Sequence, residues 1–159
     1  MFALDSADNV QIIQSNVGNS EFQDSNYPQY GSFVRYNPSG RSPFQGRNYV
    51  GLGHELVHTR DRFNGNLDMN IWQTVTDQNG NQKSIPYAEV SATHTENQIR
   101  AENGLPLRTH YTVDANGNGT GTRIIYNRTR QSRYYNSNGV TNPNYRPISR
   151  RRNQIPFTY

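Results

Sequence analysis

Five consecutive residues, His54-Glu55-Leu56-Val57-His58, have the types and spacing of a metal-dependent hydrolytic site. On a helix, positions i and i+4 lie on one face a single turn apart, so both imidazoles can donate to one cation. Glu55 stands beside them as a carboxylate able to take a proton from metal-activated water. Zinc suits such nitrogen donors, and as a catalytic ion it needs a third protein ligand and one open position. The chain has no cysteine, so the third ligand must be His, Asp or Glu. An extended H-E-x-x-H-x-x-G-x-x-H pattern would require Gly at 61 and His at 64; Asp61 and Asn64 stand there and exclude it.

The next carboxylates lie in EVSATHTENQIRAENG. Glu89 and Glu96 are seven apart and face the same way on a helix. Glu89 opens an E-x-x-A stretch similar to the third-ligand segment of glutamate zincins and is the preferred ligand, with Glu96 the alternative. Glu96 has Arg100 at i+4, a pair suited to supporting the site rather than ligating. Asp61, one turn beyond His58, is a third choice of ligand and is expected rather to serve in the same supporting way. Peptide hydrolysis also needs an electrophile for the developing oxyanion. Tyr111, His110 and Arg108 follow the second helix, and Tyr111 is preferred because a phenol donates without adding charge. His94, five residues past Glu89, is expected to sit behind the site or in solvent.

The elements that must carry these residues can be read locally. RNYVGLGHELVHTRD predicts a helix over 47–61, stopped at Gly65, and a second helix is expected over 87–103, with Gly104 as its stop and Pro106 beyond. Strands are expected at 10–14, 32–36, 71–76 and 83–86, the last two joined by the turn DQNGNQ. Residues 108–113 and 122–126 read as strands flanking ANGNGTG. No internal repeat is apparent. The expected fold class is α+β: a single zincin-like domain over 1–126, its core about 47–126. In it two metal-site helices pack on a small, mostly antiparallel sheet, with an irregular N-terminal segment.

Composition limits the interior. Only 31% of the 159 residues are apolar, and Leu, Ile, Val and Phe total 30, whereas there are 21 Asn and 11 Gln. That is near the boundary below which chains fail to bury a core. No apolar run approaches the 18 or so residues of a membrane span, and the N-terminus shows neither the basic nor the apolar region of a secretory signal. Charge is divided: residues 1–114 hold all twelve acids, and 115–159 hold eight Arg and no acid. Residues 127–159 are therefore expected to form an extended basic tail. Arg123, Arg128, Arg130, Arg133, Arg146 and Arg150–Arg152 are interleaved with Tyr126, Tyr134, Tyr135 and Tyr145. Such a mixture supports an alternative function, a non-catalytic module that binds nucleic acid or a partner protein. No nucleic-acid-binding motif accompanies the charge, which disfavours nucleic acid.

From His54 to Tyr111 the chain resembles the NleD-like effector metallopeptidases, zincin proteases of bacterial secreted effectors and RHS-type toxin C-termini. The resemblance rests on His54, Glu55, His58, Glu89, Glu96, Asn97, Arg100, Gly104, Leu105, Pro106, Arg108 and Tyr111, and covers about residues 48–111. It implies one Zn²⁺ held by His54, His58 and a glutamate, with Glu55 as general base. It also implies translocation into a target cell, protein substrates there, and an immunity or chaperone protein as a further partner.

Overall fold

Helix α1 (Asn48–Phe63) begins without a side-chain cap and is fixed instead at its other end. Arg60 and Arg62 in its last turn complement the negative end of the helix dipole. Gly65 takes φ +67°, its N–H donates to the Arg62 carbonyl, and Asn66 N–H reaches back to Asp61. Those two bonds make a Schellman stop. Helix α2 (Ala88–Glu102) ends identically: Gly104 at φ +63° donates to Ala101, and Leu105 to Arg100. The computed structural model describes residues 9–26, 31–40, 47–142, 145–148 and 154–159. It divides into two compact units, 1–67 and 68–159.

In the first unit β1 (Val10–Gln14), β2 (Ser20–Phe22) and β3 (Ser32–Tyr36) form a sheet of order β1-β3-β2. β3 runs parallel to β1 and antiparallel to β2, so the expectation of an antiparallel arrangement holds for only half of this sheet. Phe22 and Phe33 stack at 5.3 Å between β2 and β3. α1 docks on β2 and β3, burying Val50 and Val57 while the sheet buries Phe33 and Val34. Gly31 permits that approach: a Cβ there would lie 2.1 Å from the Phe63 ring.

The second unit holds the hairpin β4 (Ile71–Thr76) and β5 (Gln82–Pro86), α2, and the pair β6 (Gln131–Asn136) and β7 (Pro156–Thr158). Its core is Trp72, Val75, Ile85, Val90, Ile124, Ile125, Tyr134 and Tyr135. The α+β class is therefore present, its strands distributed among the described residues over three small sheets rather than one. The strands expected at 108–113 and 122–126 meet in the isolated antiparallel bridge of His110 with Arg123, while Val113 bridges Gly119 in the connection between them. Threonine hydroxyls intervene there: Thr112 N–H donates to Thr122 Oγ1, and Thr112, Thr120 and Thr122 bond one another. Side-chain oxygens thus replace ladder bonds.

Residues 127–159 depart furthest from expectation. Among those described, Tyr134, Tyr135 and Ile148 are buried, Tyr145 stacks on Tyr87 at 5.2 Å, and the Tyr126 hydroxyl donates to the Ile148 carbonyl. Arg130 is tied to Tyr159. The aromatic residues of the basic segment fill a core instead of standing ready to stack on bases; Arg150–Arg152 lie outside the described residues. A repeated turn also emerges. Asp77, Asp114 and Asn136 each accept two backbone N–H groups, two and four residues on, and each turn has a glycine in the left-handed region at its fourth position. No helix among the described residues is long and apolar enough to cross a membrane.

Candidate functional site

Helical spacing brings His54 and His58 together on α1. Their ring centroids are 5.0 Å apart with planes at 77°, and the side chains are buried at 3% and 8% exposure. Two edge-on imidazoles one turn apart can direct nitrogen donors at one point. Glu55 between them is also buried, at 7% exposure. A buried carboxylate and two buried imidazoles on one helix are costly to fold unless they gain partners.

The turn holding these residues is anchored to the sheet by groups that the sequence did not flag. Thr59 Oγ1 lies 3.5 Å from the Glu55 carbonyl and 3.1 Å from Ser32 Oγ. Ser32 donates to Glu21 Oε1 at 2.6 Å. Glu21 in turn receives Arg62 through both its oxygens, at 2.7 Å each. Burial alone would raise the Glu21 carboxyl, but the hydrogen bonds from Arg62 and Ser32, with the charge of Arg62, hold it below the usual carboxylate range. The only sequence signal for this chain of bonds was a polar residue in each apolar strand, too weak to identify partners 27 and 41 residues apart. Asp61 is buried and accepts both Nε and Nη2 of Arg60.

In the second unit Glu89 lies in the first turn of α2, partly buried, and Ala92 of its E-x-x-A stretch is fully buried. Glu96 has no exposed surface, and its two oxygens are taken separately by Arg100 at 2.9 Å and Arg108 at 2.7 Å. Such a carboxylate is already occupied by two guanidinium groups. Asn97 bonds the N–H and carbonyl of Arg108, and Arg100 donates to the Pro106 carbonyl. These residues fix the Gly104-Leu105-Pro106 turn.

Tyr111 packs on the core of the second unit, with the Arg108 guanidinium 4.7 Å over its ring and its N–H on the Thr122 carbonyl. Arg108 is committed to Glu96 and to the carbonyls of His110 and Tyr111. Burial, then the charges of Arg123 and Arg133, hold the His110 imidazole below its ordinary value. His94, expected behind the site or in solvent, is buried at 6% exposure among aromatic rings.

Residues 5–111 match the family model described as effector protein, peptidase family M91. The chain belongs to this family, the NleD-like effector metallopeptidases. The match ends at Tyr111, so the remaining 112–159 lie beyond it. No curated protein and no solved structure matches the chain.

Proposed function

We propose that the chain is a zinc-dependent endopeptidase of the H-E-x-x-H type, a secreted effector or toxin domain that cleaves proteins inside a target cell. The observation carrying this reading is the His54–His58 pair, buried and one turn apart on α1, in a member of a peptidase family of effector proteins. The imidazoles of His54 and His58 with the carboxylate of Glu89 would make a donor set that zinc accepts at catalytic centres. The engagement of both Glu96 oxygens by arginines favours Glu89 over Glu96 as the third ligand.

A zinc ion held by His54, His58 and Glu89 would supply a Lewis acid for the scissile carbonyl and would bring the pKa of a water down toward about 7. Glu55 takes the proton of the attacking water and delivers it to the leaving amine. Tyr111 donates its hydroxyl as negative charge builds on the carbonyl oxygen. Asp61, Arg100 and Glu96 act indirectly, by holding the helices that carry the reacting groups. Zinc content of the purified chain tests the ligand set. About one zinc per chain is expected in the wild type and in Glu96→Ala, and almost none in His54→Ala or Glu89→Ala. A metal-free wild-type protein in zinc-supplemented buffer would refute the reading, and loss from Glu96→Ala alone would move the third ligand.

A further inference from the structure

The segment beyond the family match closes around one side chain of the helix that carries Glu89. Tyr135 lies flat on the His94 imidazole at 3.6 Å and 4°, Phe157 meets it edge-on at 4.9 Å, and the Tyr159 ring is 5.3 Å away. The Tyr159 hydroxyl is 2.7 Å from His94 Nδ1 and also meets the side chains of Ser132 and Asn97. Its backbone is held at both ends by one residue: Tyr159 N–H donates to the Arg130 carbonyl at 3.0 Å, and Arg130 Nε donates to the Tyr159 carbonyl at 2.9 Å. From Asn97 the bonds continue through Arg108 to Glu96 and Arg100.

α2 needs such a device. Its buried residues are Ala88, Val90, Ala92, Arg100 and a run of polar side chains from Ser91 through Asn97, so only Val90 among them offers a large apolar knob. A helix with so little apolar ridge is free to turn about its axis unless directional bonds fix it. Burial pushes the Tyr159 phenol well above its ordinary value, and the hydroxyl therefore stays protonated at any working pH.

We propose that Tyr159 is a positioning residue. Its hydroxyl, held in place by β6 and β7, locks His94 and so sets the rotation of α2 that aims Glu89. This rests on Glu89 being a ligand, because a ligand must be held within about 0.5 Å and 10–20° of its working geometry.

The test uses the full chain as Tyr159→Phe and Tyr159→Ala, with amide exchange of the metal-free protein, thermal melting and zinc affinity as readouts. The Phe variant keeps the rings around His94 and should melt within about 4 °C of wild type. Its amides across residues 88–97 should nevertheless exchange about tenfold faster, with β4 and β5 unchanged, and zinc affinity should fall about tenfold. The Ala variant should lose melting temperature as well. His94→Phe should reproduce the Tyr159→Phe effects, and the double variant should add little, since both remove one interaction. Unchanged exchange over 88–97 in Tyr159→Phe, or acceleration spread evenly over the chain, would overturn the proposal. A wild type that binds no zinc would sink the Glu89 reading instead, while the exchange comparison still decides the latch.

Discussion

At the scale of residues, the division of labour between two glutamates is the sharpest point. Glu89 and Glu96 share a helix and a spacing, yet Glu96 is enclosed by Arg100 and Arg108. Removing a partner from a buried ion network typically costs about 3–5 kcal/mol, because the remaining charges are left buried and unpaired. Glu96→Ala should therefore lower stability by about that much in denaturant titration while keeping its zinc, whereas Glu89→Ala should lose zinc at a smaller cost in stability. The pair with Arg100 was legible from i+4 spacing. Arg108, twelve residues on, was not, because its reach depends on the turn that Gly104 and Asn97 create. Tyr111→Phe should leave zinc content intact and lower kcat by about 10²–10³ if the hydroxyl stabilises the oxyanion; an unchanged kcat would remove Tyr111 from the chemistry.

At the scale of elements, α1 is held to its sheet by a titratable clamp. The Glu21 carboxyl is depressed in the folded chain, so the unfolded chain binds its proton at the higher pH. Its stabilisation is complete above the ordinary carboxylate value and is lost as pH falls through the lower folded one. Wild type should thus lose stability on acidification through that window, and Glu21→Gln should show a flatter profile there from a lower plateau; identical slopes would contradict the clamp. Packing makes a second demand, at Gly31. Gly31→Ala puts a methyl group against the Phe63 ring and should cost about 1–3 kcal/mol unless the ring swings clear. Both helices and the β4–β5 hairpin were legible in the sequence because their signals are local: periodicity, a stopping glycine, an Asn-Gly turn. β2 escaped because three residues carry no period. The 108–126 ladder was overread because threonine hydroxyls took bonds that alternation assigns to the backbone.

At the scale of the whole molecule, the polar composition proves less of a deficit than it looked. The basic segment after residue 126 contributes Tyr134, Tyr135 and Ile148 to the interior, so part of the core lies in sequence that reads as tail. Charge patterning hid this, since a run of arginines masks the tyrosines between them. A core this small still leaves room for metal to matter. Zinc at a hundred times its Kd should add about 2.7 kcal/mol and raise the melting temperature by several degrees; a temperature unmoved by chelation would contradict a metal site. The central claim is catalytic, and new protein termini test it most directly. Target-cell extract treated with wild-type protein and zinc should acquire a small set of new N-termini. Glu55→Gln, loaded with zinc, should produce them at least about 10²-fold more slowly. Equal cleavage by both proteins, or none by the zinc-loaded wild type in any target proteome, would contradict the account.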